Sequence, residues 1–445
     1  MKAFANIKSR YAEYKALDSA DKVKAWKEGL INNAIYLLII IAVIYTYTQN
    51  SRFLSVASIV NIISLSAANI PIACGIAGTI VDSFRHPENA VMVNIFMPCE
   101  ILHAMELTPM FPEGISAYVA NTACDEVFVE TSESHNIAET FCSYHKLMIG
   151  VAETGIMPRP LMIANTTLAC DANQLSFPRL AKFYDVPHYV IDVPTTADED
   201  AVVYIADQLR ELTALLEDAT HRSLDPEALR ATMVNSQRTI QAYQRALALR
   251  GKVSLDTTMT SELCAMISTH IMLGRPEALR FMEDVLAVTE RARGAERSDK
   301  VRLFWIHTLP NWQESMRDIF DAGPECELVG TDIAAESIDL PDPDHPFESM
   351  ARRLVYGAMN GRAKERLAFA LEQAKNANAD GVVVFCHWGC KQTLGISQLA
   401  KQYFEQNGLP TLVLDGDGCD SRNVADGQMV TRVNAFIEQL KALRA

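Results

Sequence analysis

From residue 90 onward, short apolar runs rich in β-formers alternate with longer stretches of helical periodicity. Val91–Met97 stops at Pro98-Cys99, and similar strand-like runs recur at Ser116–Ala120, Leu161–Thr166 and His188–Val193. Helical patterns fill the gaps, notably Asp198–Ala219. Such alternation predicts βαβ units and a mainly parallel sheet. Residues 225–293 read as purely helical, opened by Asp225-Pro226, a capping residue followed by Pro at the first helical position. Strands then return at Val301–His307, Glu327–Val329, Gly381–Phe385 and Pro410–Leu414, with helices at Arg362–Ala377, Lys391–Gln406 and Ala425–Leu443. The expected class is α/β. The expected order is an N-terminal helical module (1–90), a first α/β domain (91–224), a helical connector (225–298) and a second α/β domain (299–445).

The N-terminal module needs its own reading. Leu30 to Thr48 carries no charge, and Lys22, Lys24 and Lys27 precede it. Its length fits a membrane span. Asn32, Asn33, Tyr36, Tyr45 and Tyr47 dilute it, and the next apolar segment is studded with Ser58, Asn61, Ser64, Ser66 and Asn69. Such groups are costly against lipid and easier to satisfy against protein. The expectation is a helical module packed near the protein body in a cytoplasmic protein, with membrane association through residues 30–48 as the alternative.

Composition narrows the function. A net charge of −15 argues against nucleic acid as a partner, which needs clustered Lys and Arg. The ten cysteines fit a reducing compartment, where thiols are core hydrophobes, metal ligands or redox groups. Several fall where open α/β sheets bind ligands, beyond the carboxyl ends of strands. Cys99 follows VMVNIFMP, Cys170 follows LMIANT, Cys386 ends GVVVFC, Cys390 opens the next helix and Cys419 follows PTLVLDGDG. With Cys124 and Cys142 these make seven candidate ligands, whereas Cys74, Cys264 and Cys326 read as core residues. Thiolates at a strand end or helix N-terminus are favoured by backbone N–H groups and the helix dipole. There is no Walker A sequence, GxGxxG, HExxH or CxxC pair, so no P-loop, dinucleotide fingerprint or zinc ribbon is expected.

The strings PCEILHAMELTPMFPEG (98–114), FCSYHK (141–146), LACDAN (168–173), FCHWGCKQTLG (385–395) and LPTLVLDGDGCDSRN (409–423) resemble, in order and context, the 2-hydroxyacyl-CoA dehydratase / benzoyl-CoA reductase family over residues 90–445. The likeness is strongest to its double-cubane cluster proteins. It implies two Rossmann-like (flavodoxin-like) parallel-sheet domains with an iron–sulfur cluster between them. It also implies a separate dimeric iron–sulfur ATPase that supplies low-potential electrons, a small-molecule substrate and a homodimer. By resemblance, Cys142, Cys170 and Cys390 stand where dehydratase subunits place the three ligands of a 4Fe–4S cluster. The chain departs from that pattern by adding Cys99, Cys124, Cys386 and Cys419. A double-cubane (8Fe–9S) cluster needs six thiolates, so one of the seven is spare.

His387, His145 and Lys146 stand beside these ligands and are the candidates for proton delivery or for hydrogen bonds to cluster sulfurs. The leading expectation is an ATP-dependent iron–sulfur oxidoreductase that reduces small molecules. The alternatives are a 2-hydroxyacyl-CoA dehydratase subunit with a single cluster, and a non-enzymatic electron carrier.

Overall fold

The computed structural model describes residues 72–73, 75–122, 124–294, 298–321, 323–336 and 339–444. The apolar stretch 30–48 and Cys74 lie outside the described residues. Among those described, no helix is long and apolar enough to cross a membrane.

Among the described residues, two four-stranded parallel sheets organise the chain. The first contains β1 (Ala90–Val93), β2 (Thr108–Met110), β3 (Met162–Thr166) and β4 (His188–Ile191), in the order β2-β1-β3-β4. The second contains β5 (Val301–Ile306), β6 (Cys326–Thr331), β7 (Gly381–His387) and β8 (Thr411–Gly416), in the order β6-β5-β7-β8. Every pairing is parallel. Each half therefore starts in the middle of its sheet, steps one way, then reverses. That reversal puts a switch point beside the first and third strands, where open α/β sheets hold ligands.

Helices cover both faces of both sheets, and β1, β3, β5, β6 and β7 are buried along their whole length. This is why their sequences read as continuous apolar runs rather than alternating ones. One face of the first sheet packs on helices 199–220 and 226–250 through Leu209, Met233 and Tyr243. Its other face packs on helices 143–153 and 173–184 through Met148, Ile149 and Phe177. In the second sheet, Trp305 and Phe385 meet helix 426–444, while Val382 and Val384 meet helices 363–376 and 391–406.

Between the sheets in sequence come helices Pro226–Arg250, Met259–Thr269 and Pro276–Arg291. The first begins as its sequence dictates, with the Asp225 carboxylate accepting the Glu227 N–H at 2.9 Å and Pro226 at the first position. Buried charges are paired: Glu100 takes both Arg353 N–H groups at 2.6 and 2.8 Å, and Asp332 takes Arg366 at 2.6 and 3.0 Å.

Two local expectations are corrected. Ser116–Ala120 is not a strand but the end of helix Pro112–Ala120, which Pro112 starts at its first position. The strand in this region is Thr108–Met110, whose Pro109 is tolerated because β2 is an edge strand. The Val91–Met97 run also leaves the sheet early, after Val93.

Candidate functional site

The loops after β3 and β7 carry Cys170 and Cys390, and the two sheets bring these loops to one cavity of about 1000 Å³. Cys142 lines the same cavity from the first half. Cys142 caps helix Ser143–Glu153 and Cys390 caps helix Lys391–Gln406, so both thiols sit at the positive ends of helices. Gly389 makes the approach possible. Its φ is +79°, and a Cβ there would lie 2.7–2.8 Å from backbone atoms of Phe141 and Cys142. The tip of the second half thus rests directly on the chain that presents Cys142.

Burial and neighbouring thiols shift Cys142 and Cys170. Burial pushes the Cys142 thiol well up, and the charges of Cys170 and Cys390 push it further. Burial and Cys390 likewise raise Cys170, to about 12. Three thiolates in this place are uncompensated without a cation. No group of three His, Cys, Asp or Glu among the described residues converges on a single metal ion. A cluster that gives each thiolate its own iron does not need that convergence.

Each of two sulfurs has a histidine. His387 Nε2 stands 3.3 Å from Cys142 Sγ, and its Nδ1 accepts the Gly418 N–H at 3.0 Å. His145 Nε2 stands 3.6 Å from Cys170 Sγ, and its Nδ1 meets Ser176 Oγ at 2.6 Å. Burial lowers both rings, His145 to about 3, so each is neutral near pH 7. Lys146 does not line the cavity. Its ammonium is taken up by Glu133 at 2.8 Å, the Glu139 carbonyl at 3.0 Å and Asp420 at 3.3 Å, which ties helix 143–153 to the loop after β8.

The remaining sequence candidates are placed apart from the cavity lining. Cys99 is wholly buried in the core behind the first sheet, its thiol donating to the Met97 carbonyl at 3.3 Å. Cys124 is exposed at the start of helix 125–134. Cys386 and Cys419 flank the trio: the charge of Cys390 acts on Cys386, and that of Cys142 on Cys419.

Two further groups on the cavity wall were not assigned roles from sequence. Burial raises the Glu113 carboxyl to about 8, and its Oε2 is buried without a partner. His307, directly after β5, holds φ +82° and has both ring nitrogens buried and unpaired. Its backbone N–H is held by Asp332 Oδ1 at 2.7 Å. The signal for Glu113 was the Pro-Glu-Gly after a strand, and for His307 its place at a strand end. Most of the wall is apolar, including Phe96, Phe111, Leu263, Met266 and Trp312.

Residues 94–440 match the model of the family described as 2-hydroxyglutaryl-CoA dehydratase, D-component. The chain is 23% identical over 363 residues to the (R)-phenyllactyl-CoA dehydratase alpha subunit of Clostridium sporogenes, covering 78% of this chain and 88% of that one. It is 24% identical over 382 residues to the lactoyl-CoA dehydratase subunit alpha of Anaerotignum propionicum, covering 78% and 89%. It is 20% identical over 305 residues to the (R)-2-hydroxyglutaryl-CoA dehydratase subunit alpha of Acidaminococcus fermentans, covering 64% and 61%. With the family model spanning most of its length, this chain belongs to the 2-hydroxyglutaryl-CoA dehydratase D-component family.

Proposed function

We propose that this chain is the iron–sulfur catalytic component of a two-part system. A separate ATP-hydrolysing iron–sulfur protein supplies the low-potential electrons. The observation that carries this reading is the meeting of Cys142, Cys170 and Cys390, from both α/β halves, on the wall of one apolar cavity. The donor set fits: the charge of Cys390 raises both Cys142 and Cys170, two of the three cap helices, and two have a neutral imidazole beside the sulfur. When bound, the cluster supplies one-electron transfer and an iron that can take a substrate atom.

The chain's own residues do the rest. The trio fixes the cluster. The apolar wall excludes water and takes an apolar substrate body. Glu113, pushed up to about 8 by burial, holds a proton at neutral pH. The relatives' names point to (R)-2-hydroxyacyl-CoA thioesters, and the cavity suits the acyl part of such a molecule.

A second reading, the double-cubane cluster in a homodimer that reduces small molecules, is favoured by Cys386 and Cys419 flanking the trio. In that case Cys124 completes the second set and the core-buried Cys99 is the spare.

The test is an anaerobic assay with (R)-phenyllactyl-CoA as probe. Turnover should require ATP, the reduced partner and this chain together. Full-rate turnover by the chain and dithionite alone would remove the need for an ATP-driven donor. No turnover of this probe, with acetylene or hydrazine reduced instead, would favour the second reading.

A further inference from the structure

We propose that His387 is a positioning residue that donates its Nε2–H to the Cys142 sulfur and thereby raises the reduction potential of the group held there. This rests on the iron–sulfur reading above. The other end of the ring sets the tautomer. The Gly418 backbone N–H can only donate, and it points at His387 Nδ1 from 3.0 Å. That nitrogen therefore offers its lone pair, and the proton of the neutral ring is on Nε2, which faces Cys142 Sγ at 3.3 Å.

Asp417 Oδ1 lies 3.6 Å from Nδ1 and would favour a proton there. That oxygen is already supplied by three closer donors: Ser143 Oγ at 2.5 Å, Cys419 N at 2.9 Å and Asp420 N at 3.0 Å. The Gly418 bond therefore decides the tautomer.

The surroundings keep the ring in this pose. Tyr144 meets it edge-on with centroids 5.2 Å apart. A Cβ on Gly418 would lie 2.5–2.8 Å from the Tyr144 ring, so the loop can come this close only as glycine. His387 is 1% exposed, which keeps water from competing for its N–H.

His145 differs. Its Nδ1 partner is the Ser176 hydroxyl, which reaches both His145 and the Ala172 carbonyl and can give its proton to either. The His145 tautomer is thus free to follow the state of Cys170, whereas that of His387 is set by backbone. An N–H donated to a cluster sulfur stabilises the reduced, more negative state and raises the potential.

The test compares wild type with His387→Leu and His387→Gln, in cluster-loaded protein, by redox titration monitored by electron paramagnetic resonance. Leu should leave the iron content intact and lower the midpoint on the order of 59 mV, tenfold in the one-electron equilibrium. Gln, which keeps an N–H near the Nε2 position, should recover most of that shift. An unchanged midpoint in Leu at full iron content, or a Gln variant displaced as far as Leu, would overturn the proposal. If Leu fails to load iron, nitrogen-15 spectra of wild type decide: a proton on Nε2 is expected, and a proton on Nδ1 overturns it. That spectrum is read equally well on protein that binds no iron, so failure of the cluster reading and failure of this one are separable.

Discussion

The cysteines of the cavity wall and those of the core share one property and differ in another. Burial alone raises Cys264 to about 12. Burial and the charge of a second cysteine raise Cys170 to about the same value. A raised thiol therefore does not mark a ligand. Cys264 and Cys99 belong to the apolar core beside the first sheet, and among the described residues no second cysteine acts on either. Cys142, Cys170 and Cys390 have one another, two helix N-termini and two neutral histidines. Convergence from two halves of the chain, rather than burial, separates a site from a core.

The largest expected effect tests that separation directly. Ala at position 142, 170 or 390 should abolish the visible absorbance of the cluster in anaerobically purified protein. Cys99→Ala and Cys264→Ala should keep the absorbance and lose only about 1–2 kcal/mol of stability, as buried small hydrophobes do. Loss of absorbance in Cys264→Ala would erase the distinction.

Gly389→Ala probes the contact between halves. A methyl group at φ +79° that also meets the Cys142 backbone should cost about 3 kcal/mol and weaken iron retention, read by denaturant unfolding and metal analysis. An unchanged midpoint of unfolding would mean that the halves do not rest on each other there.

Lys146→Met should cost less, about 2 kcal/mol, because Glu133 and Asp420 lose the buried ammonium but keep Arg422, which bridges both at 2.8 and 2.9 Å. The iron content should hold, since the ammonium serves the loop after β8 rather than the cavity. A variant of wild-type stability with normal iron but no turnover would return Lys146 to the chemistry.

The remaining effect is a pH slope. Glu113 is raised from 4.5 to about 8 in the folded chain, so the folded state binds the extra proton between those values. Stability should therefore fall as pH rises from 4.5 toward 8, and Glu113→Gln should flatten that slope in thermal unfolding. An identical slope in both proteins would contradict burial of this carboxyl.

Much of this arrangement was legible beforehand, and the reasons are local. Gly381–Phe385 and Val301–His307 are β-branched and aromatic runs buried on both faces, so they match β7 and β5 to within two residues. Ser116–Ala120 misled because Tyr118 and Val119 suggest a strand, while the Pro at the start of the helix lies four residues earlier. Thr108–Met110 was hidden by its own Pro109, which only an edge strand tolerates. The positions of Cys170 after a strand and of Cys390 at a helix start could be read from sequence and Cys142 came by resemblance, but the trio's separation from Cys99 could not be read. That depends on Val91–Met97 leaving the sheet at Val93, which leaves Cys99 capping a short helix within the core. His307 and Glu113 escaped because a strand end or a Pro-Glu-Gly turn does not single out a residue, whereas unspent hydrogen-bonding capacity is a property of the folded cavity.

Iron and acid-labile sulfide analysis of anaerobically purified wild type, Cys170→Ala and Cys99→Ala bears most directly on the central claim. About four irons per chain are expected in wild type and in Cys99→Ala, and none in Cys170→Ala. About eight in wild type would select the double-cubane form of the same site. Full iron content in Cys170→Ala would contradict the claim that this trio holds the cluster.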